Sequence, residues 1–151
     1  MGDGTLRKAG RVLLAAACLV FTAACDGYIH VRGRVYTQPQ HTAQSRAFVD
    51  RAPDDDLSGL VPLAGAKVTL YHGEDYEKQK KDPSTIWKQE EQSDEAGLFD
   101  IQTLTAPYKF DAALVVEKPG YRPVTQIFTH DKLEHTAVVV LVPDEQPAPA
   151  R

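Results

Sequence analysis

The sequence predicts an all-β protein, a sandwich of two antiparallel sheets with seven strands. Short segments alternate between apolar and polar side chains with the period of a strand, and glycine or proline turns separate them. In addition, no segment of the chain that follows the N-terminal region shows sustained helical periodicity. Seven strands of ordinary length joined by short turns are typical of a two-sheet sandwich.

The first predicted strand covers residues 28–36. Its apolar side chains Ile29, Val31 and Val35 would share one face, and the polar side chains between them would share the other. Gly33 lies in the middle of this strand, where a glycine marks a bulge or a close approach of another group to the backbone.

The remaining elements follow the first strand in order. A long polar insert occupies residues 38–61, and a charged segment at residues 73–85 is interpreted as a solvated loop with room for one helical turn. The predicted strands and turns are a turn at 62–65, a strand at 66–71, a strand beginning at 86–88, a hairpin turn at 93–97, strands at 98–101 and 110–116, a turn at 119–121, and strands at 124–129 and 136–142.

The N-terminal region has the pattern of an export signal. Three basic residues, Arg7, Lys8 and Arg11, precede an apolar run from Val12 to Ala24, and small residues close this run directly before a cysteine. The run of 13 residues is shorter than the roughly 20 residues that a transmembrane helix needs. The pattern therefore predicts a secretory signal that is removed.

The end of this signal, Thr22-Ala23-Ala24-Cys25, resembles the lipobox of bacterial lipoproteins, although Thr22 stands where that motif usually has leucine. The resemblance implies removal of residues 1–24, acylation of Cys25, a very short tether at residues 25–27, and a location on the periplasmic or extracytoplasmic face of a bacterial membrane. Acyl chains contribute about 0.8 kcal/mol per buried methylene, so two or three chains anchor a protein durably. Cys18 is a weaker acceptor, and the alternative is an ordinary secretory signal with a chance cysteine.

Charge and composition bound the remainder of the chain. Removing residues 1–24 leaves 14 basic and 20 acidic side chains, a net charge of −6. This balance argues against nucleic acid as a partner and against electrostatic adhesion to anionic lipid. Residues 28–143 are long enough for one domain with a buried core, and residues 144–151 are expected to form a disordered tail.

Four motifs in order resemble carboxypeptidase regulatory-like domains, which are transthyretin-like sandwiches of seven strands. They are Gly33-Arg34-Val35, the segment 62–70, the segment 93–99 and Lys118-Pro119-Gly120-Tyr121. The resemblance covers residues 28–142 and implies a fold more than a function. The insert at 38–61 is longer than the usual first connection in that family.

No catalytic motif is present, and no cofactor is predicted. The 5-hydroxyisourate hydrolases share the transthyretin shape, but their C-terminal Tyr-Arg-Gly-Ser motif is missing here. His130 and His135, with Asp131 and Glu134 between them, form the only dense group of metal-ligand residue types. A metal site needs at least three ligands, and solvated turn residues are the favoured interpretation.

Two surfaces are candidates for binding a ligand or a partner. Trp87 is a candidate for a sugar-binding surface, and the alternative is that it fills the core. The last strand is apolar on both faces, which leaves Val138, Val140 and Val142 on the side away from the core. Either a partner protein covers this stripe, or the insert does so through four apolar side chains: Phe48, Val49, Leu57 and Leu60.

The sequence therefore predicts a non-catalytic, lipid-anchored interaction or assembly module of the bacterial cell envelope, with an envelope protein as its partner. The alternative is a module that binds carbohydrate or another small envelope ligand. Only Asp26 and Gly27 separate Cys25 from the first strand, a reach of roughly 10 Å. The domain would consequently lie close to the bilayer. An enzymatic function would require His130 and His135 to converge with a third ligand.

Overall fold

The computed structural model describes residues 27–38, 44–53, 57–79, 81–82, 88–105 and 110–144. The predicted signal, Cys25 and Trp87 lie outside these residues. The strands are β1 (Gly27–Thr37), β2 (Arg46–Val49), β3 (Val61–Pro62), β4 (Lys67–His72), β5 (Lys88–Gln92), β6 (Leu98–Thr105), β7 (Phe110–Glu117), β8 (Val124–His130) and β9 (Glu134–Leu141), with one short helix, α1 (Gly73–Gln79).

The strands form two sheets, which confirms the all-β sandwich. In sheet A, β9 lies between β2 and β1, while β6 and β3 pair with the other side of β1. Sheet B has the order β5-β4-β7-β8. The described residues contain nine strands rather than the seven expected, because β2 lies within the insert and β3 begins at its last residue, Val61. The first and last strands also pair in parallel, which departs from a wholly antiparallel arrangement.

The core lies between the sheets and follows the predicted alternation. Ile29, Val31 and Val35 of β1 all face inward and are at most 1% exposed. They pack in one cluster with the inward-facing side chains of sheet B, including Leu70 and Leu114. Each fully buried side chain of this size contributes about 1.5–3 kcal/mol through removal of its apolar surface from water. The hydrophobic core thus supplies the main stabilisation of the sandwich.

Gly33 permits a close approach within sheet A, as its position in the sequence suggests. A Cβ atom placed on Gly33 would lie 2.5 Å from Cζ of Phe99 and would also contact the carbonyl oxygen of Ala137. Phe99 is directly opposite Gly33 in the ladder between β1 and β6. The aromatic ring therefore occupies the space that a side chain at residue 33 would take.

The segment 93–97 forms a tight turn but not a hairpin. The Oδ1 atom of Asp94 accepts hydrogen bonds from the backbone N–H groups of Ala96 and Leu98, and Gly97 has a φ of 74°. The strands on either side of the turn belong to different sheets, because β5 pairs with β4 and β6 pairs with β1. The turn therefore links the two layers at one flank of the sandwich.

Two segments interpreted as polar loops contain regular structure. Residues 46–49 of the insert form β2, which pairs antiparallel with β9 at the edge of sheet A. Residues 73–79 form the helix α1 rather than a single helical turn, and Tyr76 packs against Tyr71 with ring centroids 5.7 Å apart. No helix among the described residues is long and apolar enough to cross a membrane.

Candidate functional site

The connection between β8 and β9 brings two histidines together inside the sandwich. His130 is the last residue of β8, and His135 is the second residue of β9. Nδ1 of His130 lies 3.0 Å from Nε2 of His135, and the two residues are 5% and 2% exposed. The interpretation of both histidines as solvated turn residues is therefore wrong, because the strands extend far enough to bury them.

Asp50 is the third member of this cluster, and sequence reasoning missed it. One carboxylate oxygen, Oδ2, lies 2.5 Å from Nδ1 of His135, and the other accepts a hydrogen bond from the backbone N–H of Thr136 at 3.0 Å. The φ of Asp50 is 56°, in the left-handed region that Asp and Asn adopt more readily than other residues with a Cβ. This turn at the end of β2 directs the carboxylate toward His135.

The hydrogen bonds define a chain from Asp50 through His135 to His130. With both rings neutral, Nδ1–H of His135 donates to Asp50, and Nε2 of His135 accepts from Nδ1–H of His130. Both ring nitrogens of His135 are therefore occupied by protein groups. Two protons cannot occupy the facing nitrogens without breaking the contact between the histidines.

The environment favours a neutral His130 at one end of the chain and an ionised Asp50 at the other end. Burial lowers the pKa of His130 below 6.5, and positive charge on His135 and His72 acts in the same direction, while Asp131 opposes it. For Asp50, burial acts to raise the pKa, but hydrogen bonds from Thr136, His135 and Lys132 hold it below 3.8. A neutral His130 and an ionised Asp50 are consequently favoured at neutral pH.

The same cluster joins three strands at one flank. β2 forms the edge of sheet A, β8 forms the edge of sheet B, and β9 lies next to β2. The ring of Phe128 packs edge-on against His135 at a centroid distance of 4.9 Å, and Nζ of Lys132 lies 3.1 Å from Oδ1 of Asp50. Within the described part of the chain, no three His, Cys, Asp or Glu side chains are placed to hold a metal ion.

A second polar network lies on the outer face of sheet A. Nε2 of His30 bonds to the carboxylate of Asp100, and Nε of Arg32 lies 3.2 Å from His30 and 3.6 Å from Asp100. The guanidinium of Arg32 also lies 3.8 Å from Glu134. Alternation along β1 predicts that His30 and Arg32 share a face, but the sequence does not show that β6 and β9 supply the acids.

A groove of about 590 Å³ lies beside this network, within the usual volume range of small-molecule sites. Seven of its eleven lining residues have polar side chains, but most of the lining surface is apolar, with Leu98 as an exposed apolar side chain and the backbone around Gly33 as part of the wall. The charged lining residues and the exposed leucine are Arg32, Arg34, Glu91, Asp94, Asp100 and Leu98.

The valine stripe predicted as a partner surface is largely covered by the chain itself. Val140 and Val142 are fully buried, so only the half-buried Val138 is accessible to a partner. Phe48 of β2 is directly opposite Val138 and shares its face, whereas Val49 lies on the core-facing side. This corrects the expected surface, because β2 covers the edge of β9.

The comparisons with known proteins concern the fold alone. No family model matches the chain, and no curated protein matches it. The shaft pilin SpaA from Lactobacillus rhamnosus GG is similar in structure over 77% of this chain, with 15% identity and a TM-score of 0.50. Its likeness supports the β-sandwich fold.

Two further solved structures are similar. The 3-chlorocatechol 1,2-dioxygenase from Rhodococcus opacus covers 79% of this chain at 12% identity, with a TM-score of 0.49. The major plantain pollen allergen Pla l 1 covers 82% of this chain at 12% identity, with a TM-score of 0.44, and is itself covered completely. The chain spans 61% of the dioxygenase and 51% of the pilin.

Proposed function

We propose that this protein is a bacterial envelope lipoprotein, anchored through acylated Cys25, whose sandwich acts without catalysis as an interaction or assembly module. The observation that carries the proposal is the position of β1, which begins at Gly27, two residues after Cys25. β1 is also an interior strand of sheet A, paired with β9 on one side and β6 on the other. The anchor would therefore be continuous with an interior strand of sheet A.

This attachment would determine which end of the sandwich faces the bilayer. Gly27 pairs with Thr105 at the end of β6, and the N–H of His30 donates to the carbonyl of Leu133 in the β8–β9 connection. The opposite end carries the exposed turns at residues 64–65, 95–96 and 119–120. These turns contain three of the four motifs that resemble carboxypeptidase regulatory-like domains, and membership of that family is part of this proposal.

Two strand edges carry side chains that disfavour assembly by strand addition. The backbone N–H of Asp100 in β6 donates to the Glu91 side chain at 3.0 Å. The carbonyl of Ile127 in β8 accepts a hydrogen bond from its neighbour Gln126 at 2.8 Å. Edge groups occupied in this way are less available to a foreign strand. A partner would accordingly contact a sheet face or the turns at residues 64–65, 95–96 and 119–120, which lie at the distal end, away from the anchor.

A non-catalytic role fits the state of the buried histidines. His135 is enclosed and bonds through both ring nitrogens to Asp50 and His130. A general base must reach the proton that it removes within hydrogen-bond distance, directly or through one water molecule. The geometry therefore favours a structural role for the hydrogen-bonded residues Asp50, His135 and His130.

The anchor is tested by Cys25→Ser, with Cys18→Ser as the matched control. We expect wild type and Cys18→Ser to incorporate a palmitate analogue and to sediment with membranes. Cys25→Ser should lose the label and appear in the soluble exported fraction. Labelling that persists in Cys25→Ser, or that disappears in Cys18→Ser, would refute the assignment of Cys25.

The partner surface is tested by photo-crosslinking in the native host. Crosslinkers at Ala64 and Glu95 report on the distal end, and one at Lys132 reports on the end that would face the membrane. We expect a discrete protein adduct from a distal position and lipid adducts from Lys132. Protein adducts from Lys132 alone would contradict the orientation, and the absence of protein adducts from all three positions would contradict the assembly role.

The groove on sheet A favours a second candidate function, the binding of a small envelope ligand. Its volume and its mixture of charged and apolar side chains are the supporting observations. Ligand titration of the purified domain and crosslinking in the native host use different readouts, so the two functions can be tested independently.

A further inference from the structure

The groove beside β1 and β6 combines an apolar side chain with a guanidinium at adjacent positions. Leu98 and Arg34 are directly opposite in the ladder between these strands, so their side chains leave the same face of sheet A. Leu98 is 44% exposed, which makes it one of the few large apolar side chains open to solvent in the described residues. Val138 of β9 continues the same row on the other side of Arg34.

The acidic side chains of the groove are already engaged within the protein. Asp94 accepts two backbone hydrogen bonds in its turn, and Glu91 accepts from the N–H of Asp100. Asp100 in turn bonds to His30 and lies close to Arg32. These carboxylates retain acceptor capacity toward the groove because each oxygen can accept more than one hydrogen bond.

Arg34 differs from the other charged residues of the groove. Its contacts in the described part of the chain are a 3.4 Å hydrogen bond to the Tyr36 hydroxyl and a position 5.9 Å above the centre of that ring. No salt bridge to a described carboxylate forms. A guanidinium has five N–H donors in a planar fork that matches a carboxylate, so most of the donor capacity of Arg34 remains for a ligand.

We propose that this groove binds a small ligand in which a carboxylate lies next to an apolar group and to hydroxyl or amide donors. The carboxylate pairs with Arg34, the apolar group rests on Leu98, and the donors face Asp94 and Glu91. The proposal deepens the second candidate function, and the choice of probes rests on the proposed envelope location. In that compartment, acidic amino sugars and short peptides with a free carboxylate share this chemistry.

The test uses the chain purified in soluble form as Cys25→Ser, and its outcome does not depend on acylation. N-acetylmuramic acid and N-acetyl-D-alanyl-D-alanine are titrated to about 10 mM, well above a millimolar Kd, while amide chemical shifts are recorded. N-acetylglucosamine is the matched control ligand, because it lacks the lactyl group with its carboxylate. Arg34→Gln tests the guanidinium, and Arg51→Gln is the control arginine outside the groove.

We expect saturable shifts at Arg34, Leu98 and Asp94 with at least one carboxylate probe, and none with N-acetylglucosamine. Arg34→Gln should weaken binding by about 10-fold or more, since the lost contact is charge-assisted, and Arg51→Gln should not. A response to the sugar acid alone identifies a saccharide ligand, and a response to the dipeptide alone identifies a peptide. Equal binding of N-acetylglucosamine, unchanged binding by Arg34→Gln, or no saturable shift with either carboxylate probe would overturn the proposal.

Discussion

The hydrogen bonds that connect Asp50, His135 and His130 predict how much the substitution Asp50→Asn destabilises the domain. Asp50→Asn keeps the left-handed backbone at φ 56° and retains an oxygen for the N–H of Thr136. The amide NH2 then replaces Oδ2 opposite Nδ1 of His135, so the charge-assisted bond is lost, and a neutral bond re-forms only if both histidines change tautomer, a loss of about 1–1.5 kcal/mol. The half-exposed Lys132 contributes at most about 0.5 kcal/mol through its ion pair.

We therefore expect Asp50→Asn to lower the free energy of unfolding by about 1–2 kcal/mol at pH 7. Urea denaturation of the Cys25→Ser protein measures this change, and Tm should fall by roughly 5–10 °C. Asp131→Asn is the matched control, because Asp131 is an exposed neighbour of the cluster. Equal effects of the two substitutions, or a change below about 0.3 kcal/mol for Asp50→Asn, would refute the assigned role of the carboxylate.

Three further predictions concern other parts of the sandwich. Because the folded state lowers the pKa of His130, the free energy of unfolding should be at its full value above pH 6.5 and should decline as the pH falls below that value. Urea denaturation across pH 5–7.5 measures this decline, which should be shallower in His130→Gln. Gly33→Ala should destabilise by about 1–3 kcal/mol through its clash with Phe99. Gly120→Ala meets no atom and should cost only about 1 kcal/mol of backbone strain, so equal thermal shifts would contradict the packing argument. Ser93→Ala should lower the free energy of unfolding by about 1–3 kcal/mol, because the buried Oγ donates to one backbone carbonyl and accepts from one backbone N–H. An unchanged Tm in thermal denaturation would contradict this.

Much of the fold could be predicted because local pattern and tertiary environment agree in most strands. The inward face of β1 and the tight turn around Asp94 are both determined by residues close in sequence. β2 could not be predicted, since Arg46–Val49 is a short segment that becomes a strand only by pairing with β9, about ninety residues later. For the same reason, sequence alone did not show that the turn at 93–97 connects separate sheets.

The candidate sites were less predictable than the fold. The spacing of His130 and His135 draws attention to both residues, but the partner that completes their chain lies 85 positions before His135. Asp50 stands in a polar insert among other acidic residues, and nothing local distinguishes it from them. The groove likewise depends on side chains contributed by several strands, which only the pairing of β6 with β1 brings together.

The two polar features lie at opposite flanks of the sandwich, and this placement makes their effects separable. The histidine chain joins β8 to β9 and β2, where the edges of the two sheets meet. The groove is centred beside β6, where the turn at Asp94 links the sheets, and it reaches β9 at Thr136 and Ala137. Protonation of His130 or loss of the Asp50 carboxylate therefore weakens the flank formed by the insert, while β1, β6 and Arg34 keep their register. A ligand held by Arg34 should consequently bind Asp50→Asn as well as it binds the parent chain at temperatures where both are folded. By contrast, the stability of the domain should respond to Asp50 whether or not the groove is occupied.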